Sequence, residues 1–153
     1  MVAELFESLL VELAKSLDIK ELKPDPHNSC LIHFQNGVEI QIEPYEKDEQ
    51  LLLVIDLGSI PPGHYREDVF KESLVANGMP YPRHGFFAYS DQSDHLLLMD
   101  FLPLKDLNGE KIASAIYPLI EKAKVWQDNL SRGAVPIAET TSQGRRAPGL
   151  FGL

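Results

Sequence analysis

The chain has 153 residues, a 44% hydrophobic fraction and a formal net charge of −9, which fits one globular domain with a real core and leaves little room for a second. Arg132, Arg145, Arg146 and Glu139 give the stretch from Arg132 onward +2, so residues 1–131 carry −9 − 2 = −11, and a body that acidic excludes nucleic acid as an expected partner. The single cysteine, Cys30, excludes an internal disulfide and a cysteine zinc cluster; with no apolar run long enough for a membrane span and no basic start at Met1-Val2-Ala3-Glu4, the expectation is a soluble cytoplasmic protein.

Residues 2–17 predict an amphipathic helix. Val2, Leu5, Phe6, Leu9, Leu10, Leu13, Ala14 and Leu17 recur at helical spacing, with Glu4, Glu7, Glu12 and Lys15 between them. Pro24-Asp25-Pro26 ends anything helical. A hairpin follows. Cys30, Ile32 and Phe34 alternate with Leu31 and His33, and Val38, Ile40 and Ile42 alternate with Glu39, Gln41 and Glu43, about an Asn36-Gly37 turn. Pro44 is expected to end the second strand. Leu51 to Leu57 reads as a central strand, apolar on both faces.

Tyr65 to Asn77 predicts a short helix with Val69, Phe70 and Leu74 on one side, stopped at Gly78. Phe86–Tyr89 and Leu96–Phe101 predict a second antiparallel pair around the polar turn Asp91-Gln92-Ser93-Asp94. The last helix spans about Asn108 to Ser131 and contains Pro118, which removes a hydrogen bond and favours a kink one turn back. From Gly133 the chain is rich in Gly, Pro, Ser, Thr and Ala up to Leu150-Phe151-Gly152-Leu153, the composition of a mobile tail. The organisation is a domain over 1–131 and a tail over 132–153. The fold class is α+β, in the order α-β-β-β-α-β-β-α, with one antiparallel sheet packed by helices.

Two strands apolar on both faces pose a physical problem. Two long helices cover one face of the sheet, and the short helix is too small to cover the other. Several hundred Å² of bare apolar surface marks an interaction site; burying about 400 Å² is worth on the order of 10 kcal/mol before entropy costs. The expected uses are self-association, a client site, or both.

The chemistry-bearing residues point away from catalysis. His27, His33, His64, His84 and His95 form no metal-binding spacing, and Cys30-x-x-His33 is a lone half-site whose two residues face opposite sides of a strand. Cys30 reads as a small buried hydrophobe. Gly58-Ser59-Ile60-Pro61-Pro62-Gly63 lacks the Lys-Ser/Thr of a phosphate loop, and no G-x-S-x-G elbow is present. No enzyme activity, metal or cofactor is expected.

The run Leu9-Leu10-Val11-Glu12-Leu13-Ala14-Lys15-Ser16-Leu17-Asp18-Ile19, the hairpin Ser29–Phe34 with Val38–Glu43, and Leu51–Leu57, in this element order over about residues 3–131, resemble the Tir chaperone (CesT/SycE-like) family of type III secretion chaperones. The resemblance implies a homodimer that binds the N-terminal region of one or more secreted effector proteins and keeps them soluble and export-competent. A secretion-system ATPase is a further candidate partner. It places effector grooves at Leu5, Phe6 and Leu9 and at Ile32, Phe34, Ile40 and Ile42. It places the dimer contact at Val69, Phe70, Leu74, Phe86, Phe87 and Tyr89. The rival readings are a regulatory adaptor that sequesters a secretion or transcription regulator, and a small ligand-binding domain.

Overall fold

The structure, a computed structural model, describes residues 2–45, 47, 49–80 and 83–138. Its elements are α1 (Val2–Ser16), β1 (Cys30–His33), β2 (Glu39–Tyr45), β3 (Gln50–Ser59), α2 (His64–Asn77), β4 (Phe86–Ser90), β5 (His95–Pro103) and α3 (Gly109–Ser131). This is the α+β order that the sequence predicts. The five strands form one sheet in the order β1-β2-β3-β5-β4, and every pairing is antiparallel.

The β1–β2 hairpin closes as the sequence dictates. The Phe34 N–H donates to the Val38 carbonyl, the Val38 N–H donates to Asn36 Oδ1, and Gly37 takes φ +91°, the left-handed position of a three-residue hairpin loop. Pro44 does not end β2, which runs on to Tyr45. The reason lies in β1, which reaches only Cys30↔Ile42. Beyond Ile42 one side of β2 is an edge, and there the missing proline N–H breaks no ladder bond.

The pleat sorts the strands into two faces. One face carries Cys30, Ile32, Val38, Ile40, Ile42, Leu51, Leu53, Ile55, Leu57, Phe87, Leu96 and Leu98, all buried. Helices α1 and α3 pack on this side. Phe6, Leu9, Leu10 and Leu13 of α1 and Ile112, Ile116, Leu119, Ile120, Ala123 and Trp126 of α3 complete the core. The Trp126 and Phe87 ring centroids lie 4.0 Å apart.

The two long helices cross closely because the first residue of α3 is Gly109. A Cβ there would sit 2.4 Å from the Glu12 backbone carbon. Asn108 caps the helix by accepting from the Lys111 N–H at 2.9 Å. α3 continues through Pro118 as one helix of 23 residues.

Residues 133–138, just past α3, are packed. They run back along α2, where Tyr65 Oη donates to the Ala134 carbonyl at 2.8 Å and the Ala138 N–H donates to Glu72 Oε2 at 3.1 Å. Ala138 is buried. Residues 132–138 of the predicted tail therefore hold contacts with the body, and residues 139–153 lie outside the described residues.

Candidate binding surfaces

The second face of the sheet carries the alternate residues: Phe86 and Ala88 of β4, Leu97, Met99 and Phe101 of β5, Leu52, Val54 and Asp56 of β3, and Glu39, Gln41, Glu43 and Tyr45 of β2. The ring and side-chain contacts of α3 and α2 with β4, at Phe87 and Tyr89, fall on the first face. The apolar residues of the second face shield one another. Phe101 lies 5.1 Å from the Tyr45 ring centroid and 5.8 Å from that of Phe86, so an aromatic row crosses the sheet at one end. Leu52 is buried in this row, whereas Val54, Leu97, Met99, Phe101 and Phe86 stay half-buried. An apolar strip with no helix over it is the bare surface that the strand patterns call for.

A second surface lies between α2 and β4. Phe70 packs edge-on against Tyr89 at 4.8 Å, and Arg66 stands over the Tyr89 ring at 5.6 Å. Phe70, Leu74, Phe87 and Tyr89, with Ser73 and Asn77, line a groove of about 180 Å³. Leu74 is 71% exposed at its rim.

A third surface is a larger groove of about 590 Å³ on the outer side of α1. Val11, Ala14, Ile19 and Leu22 form part of its wall, among Glu7, Lys15, Lys20 and Lys23.

Four of the six residues expected at the dimer contact come together in the α2–β4 groove. Val69 does not: it turns inward and is buried in the core. Phe86 does not either: it faces the open sheet. The effector residues fare differently. Phe6, Leu9, Ile32, Ile40 and Ile42 are each 2% exposed or less. In the single chain they lie in the core. Their periodicity is that of any inward-facing stripe, so it does not tell a core position from a groove. Leu5 is 44% exposed and Phe34 is half-buried. The open strip, Val54, Leu97, Met99 and Phe101, lies on the face that strands apolar on both sides leave bare, and none of its residues is among those placed at the grooves. Its signal was present as apolar residues at the polar phase of β3 and β5.

Polar groups near the core are satisfied. Lys122 is buried, donates from Nζ to the His84 carbonyl at 3.0 Å and lies over the Phe87 ring at 4.9 Å. Burial pushes the Asp100 carboxyl above its ordinary range, against the pull of the Phe101 N–H and of His84, Arg83 and Lys122. Cys30 is buried, and burial followed by the charge of Asp25 raises its thiol pKa, which is the state of an inert structural cysteine. Among the described residues no three His, Cys, Asp or Glu side chains come together to hold a metal. No helix among them is long and apolar enough to cross a membrane.

The sequence profile of the Tir chaperone protein (CesT) family matches residues 8–127. The chain belongs to the Tir chaperone family. Solved structures share the family fold. One is the HopA1–SchA chaperone–effector complex, at 17% identity and TM-score 0.65, covering 81% of this chain and 94% of that one. Another is the Yersinia pestis type III secretion chaperone SycH in complex with a fragment of YscM2, at 22% identity and TM-score 0.58, covering 77% and 96%. A third is the ExsC–ExsE complex, at 18% and 0.64, covering 84% and 95%. No curated protein matches the sequence significantly. Within a family of chaperones, bare apolar surfaces are the functional feature to explain, and among the described residues they lie on the open sheet face and in the α2–β4 groove.

Proposed function

We propose that this Tir chaperone works as a homodimer in the bacterial cytoplasm and holds the N-terminal segment of one or more secreted effectors. It acts by binding rather than by catalysis. The observation that carries the reading is the uncovered sheet face, with Val54, Leu97, Met99, Phe101 and Phe86 in one apolar strip. A client segment that buries its apolar side chains on this strip gives up chain entropy, stays out of aggregates and does not fold prematurely.

Self-association takes the α2–β4 groove. An exposed Leu74 beside an apolar trough suits a twofold contact, in which each copy offers the knob and the hole. A secretion-system ATPase is a further candidate partner of this reading.

The test is titration of the purified chain with the N-terminal segment of a partner captured from its native cytoplasm, and separately with the rest of that partner. Binding of the N-terminal segment alone supports the reading. Binding only of the remainder favours a regulatory adaptor that grips a folded protein.

A further inference from the structure

The open face changes character along its length. At one end lies the aromatic row of Tyr45, Phe101 and Phe86. At the other, β2 and β3 part. Their pairing runs from Tyr45↔Gln50 to Gln41↔Val54 and stops there, although β2 begins at Glu39 and β3 continues to Ser59 against β5. The next pair of that register on this face would set Glu39 opposite Asp56. Like charges directly opposite on adjacent strands repel, and this is where the strands separate.

The parting leaves a cleft of about 340 Å³ lined by Glu39, Asp56, Gln41, Val54, Leu31 and Gln127. Gln127 reaches in from α3 and donates to the Asp56 carbonyl at 3.2 Å. His33 lies 3.0 Å from Glu39 and His95 lies 2.8 Å from Asp56. Asp56 Oδ1 also accepts the Gly58 N–H at 2.8 Å, so both carboxylates already have partners, and each retains lone pairs for a further donor.

We propose that the open face docks a segment whose apolar side chains lie on the Phe101–Met99–Val54 strip and whose next basic residue enters the cleft between Glu39 and Asp56. This rests on the reading of the face as the client surface, and it adds a client chemistry: apolar anchors followed by Arg or Lys. β3 also carries a bulge against β5 here, between Asp56 and Gly58, and a cation in the cleft offsets the repulsion of the two carboxylates, an arginine presenting several donors to them. From Leu52 in the aromatic row to Asp56 is about 13 Å at strand rise, so in an extended segment the basic residue stands about four positions from the aromatic anchor. A second copy docked with its twofold axis at the cleft would set its own carboxylates against these and is the poorer occupant there.

The probe is a labelled synthetic peptide with Phe and Leu at alternate positions and Arg four positions beyond the Phe, compared with the same peptide carrying Glu for Arg. Anisotropy titrations use the full chain. The Arg peptide binds about tenfold tighter at low salt, with the gap narrowing as salt rises. Glu39→Gln with Asp56→Asn removes the preference, whereas Glu110→Gln with Glu121→Gln, the same change of net charge on the exposed side of α3, leaves it. Glu39→Gln alone halves the preference should the double variant fold poorly.

Equal binding of the two peptides overturns the cleft and leaves the apolar face standing. A preference that survives in the cleft variant also overturns it and traces the effect to overall charge. If neither peptide binds, the reading of the face as a client surface fails. Dissociation of the dimer by Val54→Glu would show that a second copy covers this face, and would overturn both.

Discussion

Asn77 closes the outer edge of β4 by taking both backbone groups of Phe87: its Nδ2 donates to the Phe87 carbonyl at 2.9 Å, and its Oδ1 accepts the Phe87 N–H at 2.7 Å. One side chain thus stands in for a neighbouring strand, and an edge that would otherwise template aggregation is blunted. Asn77→Ala leaves both groups without these partners. The expected cost is about 1–3 kcal/mol, read as a lower urea midpoint and faster hydrogen exchange at the Phe87 amide.

Leu74 tests self-association cleanly. It is largely exposed within one copy, so Leu74→Asp leaves the fold intact and halves the mass seen by light scattering, because it puts a charge in a buried contact. Phe70→Asp gives the same dissociation, with an added loss of about 0.5–1.5 kcal/mol from the ring contact with Tyr89. An unchanged dimer mass for both variants would remove the α2–β4 groove from the interface.

Asp100 gives a pH signature. Its folded pKa is raised, chiefly by burial, so its contribution to stability is fully present below the ordinary carboxylate pKa and is lost as pH rises through the folded value. Asp100→Asn removes that dependence. The stability of the wild type relative to the variant is expected to fall with rising pH across the acid range and then level off, in urea melts at a series of pH values. A difference that grows with rising pH would mean that the neighbouring Lys122 and Arg83 outweigh burial.

Much of the fold was legible because it rests on local rules. The phases of Cys30/Ile32 and Ile40/Ile42, and Asn36-Gly37 between them, define the first hairpin without tertiary information. What was not legible depends on neighbours. Pro44 reads as a strand end until β1 is seen to stop beside Ile42. Asp100 and Lys122 read as surface residues until β5 and α3 are packed together. The site divides the same way. An apolar stripe looks alike whether it fills this chain's own core, as Phe6 and Ile40 do, or faces outward, as Val54 and Leu97 do. Only the placement of α1 and α3 over one face of the sheet separates them.

The segment past α3 separates by the same logic. Shortening the chain to end at Ala138 is expected to leave the melting temperature unchanged. Ending it at Arg132 removes the contacts of Ala134 with Tyr65 and of Ala138 with Glu72, and should cost about 1–3 kcal/mol. Tyr65→Phe reproduces part of that loss. Equal melting temperatures for the two truncations would make the strap along α2 dispensable.

The most direct test of the central claim is capture from the native cytoplasm with two versions of the tagged chain, the wild type and Val54→Glu/Leu97→Glu, followed by mass spectrometry and by light scattering of the purified proteins. The account predicts that the wild type retains larger secreted proteins through their N-terminal segments, and that the variant loses them while keeping its dimer mass. Retention of the same proteins by the variant would place the client elsewhere and contradict the account.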